Sequence, residues 1–496
     1  MGRRISWLAV LILVLFGVLA VQAANIQFLR APALNVSSEN PRVMFGATNF
    51  ARGDITAANG ELLASSVPSG STFRRHYPLG ALTAGVVGFS SSFYGTWGLE
   101  AQYNSLLTAH SQPAHSLAQV IAPTTAASNI SLTLNPILQR VAMRALNGRD
   151  GAVVAINPTT GGILAMYSNP TYDPNAFTSS DYAKVKKAWL SGTKKNQNGF
   201  APLAPVATEN SFPPGSTFKI IDTASVLTSR PDLWFKSYPQ LTETPLPTSN
   251  LTLSNFAHRR CGGTIAQMLP PSCDTGFALA GLDLGAAFLS ATAETFGFNQ
   301  TPPLDLPGTV ASVFPTPQQL ANDLPGLAYS AIGQKNVRAT TLQNALVAAT
   351  IANDGVMMVP HLLNNVTAAD GTLIRHYVPK TWLNPLTPSQ TAQVKQLMVN
   401  VGRFGTASGV FPKFLHVGAK TGTSQVGNLK NQTDDWMIAF WPADHPTIAV
   451  AVALPFQPNA TEGATTAGPV MKCVLEAALA ISTGQPASGT SMTCPK

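Results

Sequence analysis

The sequence is poor in charged residues, which make up 11% of its 496 positions. Lysine and arginine number 31 against 23 aspartates and glutamates, which gives a formal net charge of +8. The basic residues form no stripe and no set interleaved with aromatic residues, as proteins that bind nucleic acids usually have. We therefore expect no nucleic-acid partner, and the charge favours only a weak attraction to an anionic wall or membrane surface.

Cysteine is also scarce, with four residues in the whole chain. The cysteines and histidines form no set of four at the spacing of zinc ligands, so we expect no metal and no cofactor. An even number of cysteines permits disulfides in an exported protein. Proximity in the sequence favours pairing Cys261 with Cys273 and Cys473 with Cys494, and free buried thiols are the alternative.

A single long apolar run is found, at the N-terminus. It extends from Ile5 to Ala24 behind Arg3 and Arg4. Basic residues before such a run keep the N-terminus in the cytoplasm and direct the rest of the chain outward. We expect an uncleaved, single-pass anchor in the cell membrane with the bulk of the protein outside. A cleaved signal peptide is the alternative, with Val21-Gln22-Ala23 as its cleavage site.

The length predicts more than one domain. Residues 1–24 are predicted to form a cytoplasmic stub and membrane anchor, and residues 25–130 a pedestal domain that ends in the low-complexity connector Gln112–Ser128. Residues 131–484 are predicted to form a larger domain, followed by a C-terminal tail, residues 485–496. The pedestal contains short apolar runs and turn residues, without strong periodicity.

The larger domain has strand patterns at both of its ends. A helix is predicted over 132–146, and a hairpin follows over 151–168. Near the C-terminus, 436–441 and 447–454 form a second pair of apolar strands, followed by a helix over 465–480. This order predicts an α+β fold in which helices cover an antiparallel sheet.

One segment contains the first candidate catalytic residues. Ser216 follows Pro213-Pro214-Gly215 and precedes an apolar helical pattern, so it is predicted to lie at a helix N-terminus. Lys219 lies on the same helix face and can take the proton of the Ser216 hydroxyl. Backbone N–H groups at such a helix end also stabilise an oxyanion. Ser216 is therefore a candidate nucleophile with Lys219 as its base, and a simple capping serine is the alternative.

Two further motifs follow. Ser272-Cys273-Asp274 begins 56 residues after Ser216 (272 − 216), and Lys420-Thr421-Gly422-Thr423 begins 148 residues after Ser272 (420 − 272). Ser272 is predicted to relay a proton between Lys219 and a leaving amine. Lys420 is predicted to hold a substrate carboxylate. Taken singly, Ser272 also fits a helix cap and the Lys-Thr-Gly motif a turn.

Substrate contacts are expected from the residues around these motifs. Asp274, Thr421, Gly422 and Thr423 are the predicted substrate-binding residues. The two threonine hydroxyls can bind a carboxylate, and Gly422 lets a substrate lie against an edge strand. The N–H groups of Thr423 and Ser216 are predicted to form an oxyanion hole.

In this order, the three motifs resemble those of penicillin-binding proteins and class A β-lactamases. The whole chain resembles class B penicillin-binding proteins, and in particular the actinobacterial penicillin-binding protein A group. The resemblance extends over these further segments: Asn40-Pro41-Arg42, Arg52-Gly53-Asp54-Ile55, Asn59-Gly60, Gly98-Leu99-Glu100, Tyr103-Asn104, 151–175, Ile332-Gly333-Gln334, Thr340–Gln343 and Ile351–Gly355. It implies a penicillin-binding transpeptidase fold, similar to serine β-lactamases, behind a β-rich pedestal.

The resemblance also implies a function. A peptidoglycan D,D-transpeptidase of this kind forms an acyl-enzyme on a stem peptide ending in D-Ala-D-Ala, releases D-Ala, and transfers the peptide to an acceptor amine. It would be acylated by β-lactams. Because no glycosyltransferase domain fits before residue 150, a separate glycosyltransferase and other division or elongation proteins are expected partners.

Three positions depart from the pattern of the family. Asp274 stands where most relatives have Asn, and an ionised carboxylate there would raise the pKa of Lys219. Ser424-Gln425 replaces the common Ala-Glu, and Asp434-Asp435-Trp436 stands where His-x-Trp is expected. Both of these segments are predicted to lie near the cleft and to affect acceptor choice.

Other functions fit the same motifs. A D,D-carboxypeptidase or a β-lactamase-like hydrolase would use the same acylation, although hydrolysis needs neither a pedestal nor an anchor. A catalytically silent scaffold of a cell-wall complex is a third alternative, and the intact set of Ser216, Lys219, Ser272 and Lys420 argues against it.

Overall fold

The structure, a computed structural model, describes residues 2–25, 50–111, 125–426, 432–458, 461–484 and 494. Three segments named above lie wholly or mostly outside these residues: Asn40-Pro41-Arg42, the connector Gln112–Ser128, and the C-terminal tail apart from Cys494. What the sequence predicts for those segments stays a prediction.

The strands form two larger sheets and several two-stranded ribbons. In chain order they are β1 (Ile55–Thr56), β2 (Leu62–Ser69), β3 (Thr72–His76), β4 (Ser90–Ser91), β5 (Gly95–Thr96), β6 (His110–Ser111), β7 (Thr125–Ala126), β8 (Asn129–Leu132), β9 (Gly151–Ile156), β10 (Ile163–Asn169), β11 (Tyr238–Leu241), β12 (Glu243–Pro245), β13 (Thr252–Ser254), β14 (Cys261–Gly263), β15 (Met357–Met358), β16 (Leu363–Thr367), β17 (Leu373–His376), β18 (Thr381–Leu383), β19 (Gly418–Gln425), β20 (Gln432–Trp441) and β21 (Ile448–Pro458). One sheet has the order β10-β9-β21-β20-β19, and the other has the order β17-β16-β8-β1-β2-β3.

The five-stranded sheet brings together the two ends of the larger domain. All its pairs are antiparallel, with β9 against β21 in the middle and β19 at one edge. Every residue of β9 is buried, and every residue of β20 except the first is buried as well. Near-continuous burial of this kind requires a covering layer on each face of the sheet. The predicted hairpin and the predicted C-terminal strand pair are both confirmed.

Helices surround this sheet. In chain order they are α1 (Gly2–Ala24), α2 (Ala84–Val87), α3 (Leu99–Gln102), α4 (Asn104–Leu107), α5 (Pro136–Leu146), α6 (Tyr182–Thr193), α7 (Val206–Glu209), α8 (Lys219–Ser229), α9 (Ile265–Met268), α10 (Asp274–Leu284), α11 (Ala286–Thr295), α12 (Pro317–Ala321), α13 (Leu324–Ala331), α14 (Thr341–Ala352), α15 (Pro388–Phe404) and α16 (Gly463–Ser482). Short 3-10 turns lie at 80–82, 174–177, 215–218, 231–234 and 256–258.

The covering helices come from distant parts of the chain. α5 and α16 pack against each other and against the sheet, while α14 packs against β9, β20 and β21. Asn135 caps α5 by accepting hydrogen bonds from the N–H groups of Ile137 and Leu138, and Pro136 occupies the first turn. The predicted helix and its start signal are therefore confirmed, as is the α+β fold with an antiparallel sheet covered by helices.

The six-stranded sheet joins the N-terminal strands to strands of the larger part of the chain. β1, β2 and β3 come from the predicted pedestal, β8 crosses its predicted end at residue 130, and β16 and β17 come from residues 363–376. β1 pairs with β8 in parallel and with β2 in antiparallel orientation. The β-rich character predicted for the pedestal is present, and its sheet continues into the second domain.

Two disulfides join the cysteines. Cys261 is bonded to Cys273, and Cys473 is bonded to Cys494. These are the pairs that sequence proximity favours, so the alternative of free thiols is wrong for all four cysteines. The first bond fixes the residue that follows Ser272 to strand β14.

Among the described residues, two helices have the length and composition to cross a membrane, Ser6–Ala24 and Gly463–Ser482. The first is 0% buried in the protein and the second is 56% buried, because α16 covers the central sheet. α10 and α11 would form a third candidate only as one span bent by 101°. The apolar helix at the N-terminus is therefore the candidate membrane anchor.

Candidate active site

Ser216 lies in the short 3-10 turn Gly215–Phe218, which runs directly into α8. Lys219 is the first residue of α8, so the predicted position of Ser216 at a helix start is confirmed. Gly215 has a φ of +54°, and a Cβ there would lie 2.7 Å from the carbonyl oxygen of Thr423. Only glycine fits this conformation and this close approach. The turn thus lies directly against the backbone of edge strand β19.

Two lysine amines converge on the Ser272 hydroxyl. The Lys420 Nζ donates to Ser272 Oγ at 2.8 Å, and the Lys219 Nζ lies 3.3 Å from the same oxygen. Lys219 also donates to the Ser272 carbonyl at 2.8 Å and to Asp274 Oδ1 at 2.6 Å. Lys420 donates in addition to the carbonyl of Thr421 at 2.9 Å. The three motifs found in the sequence therefore form one hydrogen-bonded cluster.

Ser272 is held in an unusual backbone conformation. Its φ is +61°, in the left-handed region that a residue with a side chain seldom adopts. The N–H of Ser272 donates to the Leu269 carbonyl, and the disulfide holds Cys273 on its other side. Residues in sparsely populated backbone conformations cluster at functional sites. This conformation directs both the hydroxyl and the carbonyl of Ser272 to Lys219.

Burial shifts the proton affinity of both amines. Lys219 and Lys420 are each 0% exposed. Burial lowers the pKa of Lys219, and the Asp274 carboxylate offsets part of that shift. Burial lowers the pKa of Lys420 further, well below its ordinary value, and the charge on Lys219 adds to the effect. The cluster thus makes both amines easier to deprotonate than in water.

The direct contact expected between Lys219 and Ser216 is not made. The hydrogen bonds of the Lys219 amine to described residues go to Ser272 and Asp274. The shortest of these bonds is to Asp274, at 2.6 Å, and this carboxylate lies at the start of α10 with a side chain 17% exposed. The structure therefore places Asp274 beside the lysine, where its charge acts on the amine.

Strand β19 lies at the edge of the sheet, as β-augmentation by a substrate requires. The Thr421 hydroxyl lies 2.6 Å from the hydroxyl of Thr406, and the Thr423 hydroxyl accepts a bond from the Gly463 N–H at 3.1 Å. A Cβ on Gly422 would lie 2.6 Å from the Pro214 carbonyl oxygen. Gly422 therefore permits close packing against the nucleophile segment, a reason that sequence reasoning did not give.

The two other departures from the family pattern also contact the nucleophile segment. Ser424 Oγ and the Trp436 indole N–H both donate to the Pro213 carbonyl, at 2.7 and 2.8 Å. Asp434 and Asp435 lie on β20 beside β19, and both are buried. Burial raises the pKa of Asp434 to about 7, and Asp434 Oδ1 accepts a bond from the Phe456 N–H.

Sequence reasoning missed two polar residues near the cleft. Asp222, one turn after Lys219 on α8, is fully buried, and neither carboxylate oxygen has a hydrogen-bond partner among the described residues. Burial raises its pKa well above the ordinary value. Thr406 contacts Thr421 from the loop after α15. Neither residue belongs to a recognisable motif, so nothing in the sequence could have identified them.

No group of three or more His, Cys, Asp or Glu side chains that could hold a metal ion occurs in the part of the chain that the structure describes. The cluster of Lys219, Ser272 and Lys420 supplies hydroxyl and amine groups for proton transfer.

Comparison with known families gives two matches along the chain. Residues 151–476 match the family described as "Penicillin binding protein transpeptidase domain". Residues 52–129 match the family described as "Penicillin binding protein A dimerisation domain". The two matches together cover most of the described residues.

Curated relatives match over nearly the full length. The chain is 36% identical to "Peptidoglycan D,D-transpeptidase PbpA" of Mycolicibacterium smegmatis, covering 97% of this chain and 99% of the relative. It is 33% identical to the protein of the same name from Mycobacterium tuberculosis, covering 96% and 98%. It is 28% identical to "Peptidoglycan D,D-transpeptidase MrdA" of Escherichia coli, covering 77% and 68%.

Solved structures with a similar fold come from the same family as these relatives. The fold is similar to that of penicillin-binding protein A from M. tuberculosis in its ceftriaxone acyl-enzyme complex, with a TM-score of 0.78, 32% identity, and coverage of 87% of this chain and 99% of that chain. The imipenem acyl-enzyme complex of the same protein gives a TM-score of 0.77 at 32% identity, with coverage of 87% and 99%. With its motifs, fold and relatives in agreement, the chain belongs to the penicillin-binding transpeptidase family.

Proposed function

We propose that this protein is a peptidoglycan D,D-transpeptidase that works through an acyl-enzyme on Ser216. The observation that carries the proposal is the hydrogen-bonded cluster of Lys219, Ser272 and Lys420 beside the Ser216 turn. Stem peptides that end in D-Ala-D-Ala are its substrates, and β-lactams acylate it because they present a reactive amide to the same serine.

In the first step, Ser216 Oγ attacks the carbonyl carbon of the penultimate D-Ala. The serine proton passes to the Lys219 amine, and the new oxyanion is stabilised by the N–H groups of Ser216 and Thr423. The C–N bond then breaks, and the leaving amine of D-Ala takes a proton through the Ser272 hydroxyl. Lys420, Thr421 and Thr423 bind the terminal carboxylate of the substrate.

In the second step, an acceptor amine attacks the ester carbonyl and displaces Ser216. The amine loses one proton to the Lys219–Ser272 pair, and the serine oxygen regains one, so the enzyme returns to its starting state. Water in place of the amine would give D,D-carboxypeptidation by the same route.

Lys219 must exchange its partner for this chemistry. In the structure its amine binds Asp274 at 2.6 Å, and an amine engaged in this way cannot accept the serine proton. Deprotonation of Lys219 removes the ion pair and frees a lone pair for Ser216, and its lowered pKa favours that change. Asp274 therefore acts on Lys219 and does not itself need to touch the substrate.

The anchor helix places this chemistry outside the cytoplasmic membrane. We assign the protein a single-pass topology, because the run from Ser6 to Ala24 follows two arginines and 0% of it is buried in the protein. The family matches at 52–129 and 151–476 describe a dimerisation and a transpeptidase domain, not a glycan polymerase. A separate membrane glycosyltransferase, within a division or elongation complex, then supplies the glycan strands.

Intact mass spectrometry with and without penicillin G tests the proposal. We expect the mass of one penicilloyl group on the wild-type chain, with the adduct on the peptide that contains Ser216. Ser216→Ala should carry no adduct and remain folded, because the Ser216 side chain caps neither the 3-10 turn nor α8. Ser254→Ala, an exposed serine on β13, is the matched control and should be labelled like the wild type. An adduct on any other residue would refute the assignment.

A further inference from the structure

Helix α6 and the loop that follows it form a basic surface. Five exposed lysines lie between positions 184 and 195: Lys184, Lys186, Lys187, Lys194 and Lys195. Two acidic residues accompany them. Asp181 lies 3.9 Å from Lys184, and Asp150 accepts hydrogen bonds from the amides of Asn196 and Asn198. Five lysines against two aspartates leave an excess of three positive charges (5 − 2) in a protein whose whole charge is +8.

Aromatic rings from two parts of the chain border this basic surface. Trp189 on α6 stacks on Tyr94, with 4.5 Å between ring centroids, and Trp97 meets Trp189 edge-on at 6.1 Å. Tyr182, the first residue of α6, meets Phe93 edge-on at 5.3 Å. Tyr94 and Phe93 belong to the turn between β4 and β5. The cluster therefore connects the predicted pedestal to the transpeptidase domain.

Part of this aromatic cluster remains open to solvent. Tyr182 is 53% exposed and Trp97 is 38% exposed, and Leu190 between the lysines is 58% exposed. Exposed apolar residues that lie together within a polar rim mark a binding surface more often than singly scattered ones do. We define this basic and aromatic area, formed by Tyr182, Lys186, Lys187, Leu190, Lys194 and Trp97, as the α6 surface.

The α6 surface lies on the segment that leads to the nucleophile. The loop after α6 runs to Phe200, whose ring contacts that of Phe212 with 5.6 Å between centroids. Phe212 lies four residues before Ser216 (216 − 212) and also contacts the Trp436 ring at 6.2 Å. The chain that follows the α6 surface therefore packs against the segment that leads into the catalytic turn.

Charge and shape together indicate the class of ligand. Sugar rings present C–H groups that pack on aromatic faces, and lysines attract carboxylates. An amphipathic helix that lies on a membrane directs its apolar residues into the lipid. On α6, Val185 and Gly192 are buried within the protein, and the large apolar residues that stay exposed, Tyr182 and Leu190, are interrupted by three exposed lysines. The surface thus suits an acidic glycan better than a lipid layer.

We infer that the α6 surface binds the glycan strand of the peptidoglycan substrate and holds the polymer beside the catalytic cleft. The inference rests on the proposed function, because each stem peptide ending in D-Ala bears a free carboxylate and makes the strand polyanionic. Sugar rings pack on Tyr182 and Trp97, and the lysines bind stem-peptide carboxylates. Small β-lactams need none of these contacts.

Co-sedimentation with purified peptidoglycan sacculi tests this inference on the full-length protein. The variant K186E/K187E/K194E should bind sacculi about tenfold more weakly at low salt, and the wild-type protein should lose binding as salt rises. The matched control is R259E/K380E/K413E, which makes the same change of charge at three exposed sites elsewhere and should bind like the wild type. Tyr182→Ala tests the aromatic part, and the neutral sugar chitohexaose should compete with sacculi for the wild type but less for this variant.

Acylation by penicillin G separates failure of this inference from failure of the proposed function. All the variants should acylate at the wild-type rate, since their changes lie outside the catalytic cluster. Absence of acylation in every protein, the wild type included, would refute the proposed function. Equal sacculus binding by both triple variants would overturn the inference and leave α6 as a solvated face. Binding of vesicles containing phosphatidylglycerol that is lost in K186E/K187E/K194E, with sacculus binding retained, would overturn it in favour of a membrane contact.

Discussion

Two buried charge clusters in this protein have the same charge count and opposite behaviour. In the pedestal, Glu100 binds Arg52 at 2.8 Å and Arg75 at 2.6 Å, and Tyr77 donates to the same carboxylate. In the cleft, Lys219 binds the Asp274 carboxylate at 2.6 Å, and the Lys420 amine lies beside this pair on the Ser272 hydroxyl. Each cluster has two basic side chains and one carboxylate that is hydrogen-bonded to at least one of them, so the number of these groups does not explain the difference between the clusters.

The two clusters differ in how many basic side chains bind the carboxylate. Burial raises the pKa of Glu100, but the two guanidinium groups outweigh burial and leave it lowered. Burial likewise lowers the pKa of Arg75, and the Glu100 contact reverses that shift. In the cleft only Lys219 binds the carboxylate, and Lys420 binds a hydroxyl and a carbonyl. The pedestal thus stabilises its charged forms, whereas the cleft favours amines that can lose a proton.

The largest expected effect is on acylation, and it comes from replacing a lysine of the cleft by arginine, the basic residue of the pedestal cluster. Lys219→Arg should lose acylation by a chromogenic β-lactam at every pH, by about 10² to 10⁴-fold, because a guanidinium cannot give up its proton. Lys420→Arg keeps a cation for the substrate carboxylate and should retain partial acylation. Stopped-flow acylation rates across pH check both. Equal and complete losses would show that Lys420 must also become neutral, against the division of roles proposed above.

The second prediction breaks the pedestal cluster. Glu100→Gln leaves two buried guanidinium groups without a carboxylate and should lower the free energy of unfolding by about 3 kcal/mol. Urea denaturation followed by tryptophan fluorescence measures this loss. Acylation of the folded variant should be unchanged.

The control for that experiment is Glu61→Gln. Glu61 binds Arg140 at 3.0 Å, but their side chains are 31% and 34% exposed. Exposed ion pairs contribute about 0 to 1 kcal/mol. A loss as large as that of Glu100→Gln would mean that burial does not distinguish the two pairs.

The third prediction removes the carboxylate that binds Lys219. Asp274→Asn should lower the pKa of Lys219, because the charge that offsets the effect of burial is gone. The rising limb of the acylation rate should move to lower pH by about one unit. Asp283→Asn, near the other end of α10, removes an exposed partner of Lys236 and should leave the limb in place. Superimposable profiles for the wild type and Asp274→Asn would show that Asp274 carries no charge at rest.

The smallest expected effect is on stability as a function of pH. Lys420 has a lower pKa in the folded protein than in the unfolded chain. Between these two pKa values the unfolded chain binds more protons than the folded protein, so the free energy of unfolding rises with pH across that window. Lys420→Met has no titrating group at this position, so its free energy of unfolding should rise less steeply with pH in the alkaline range. The slope difference is at most about 1.4 kcal/mol per pH unit. Thermal unfolding of both proteins in a series of buffers measures it, and parallel curves would contradict a lowered pKa at this site.

Much of the fold could be predicted because its signals are local. Asn135 and Pro136 mark the start of α5 by chemistry that lies within four residues, and the parts of β20 and β21 that were predicted, 436–441 and 447–454, are mostly apolar runs. The disulfide partners are 12 and 21 residues apart, so proximity was a sound guide. Interactions between distant segments left no such signal. Nothing in 363–376 indicated that β16 and β17 extend the pedestal sheet.

For the site, the sequence by itself determined which groups are present. The order of Ser216, Lys219, Ser272 and Lys420 predicted a nucleophile and its proton-transfer partners, because each motif requires those residue types at close local spacing. The tertiary structure alone decided how the charges are matched. Lys219 meets Asp274 because segments more than 50 residues apart in the chain come together. The extent to which burial lowers each amine pKa, and the lack of a hydrogen-bond partner for Asp222 among the described residues, depend on complete exclusion of water. Spacing along a chain determines composition and order, whereas desolvation is a property of the packed molecule.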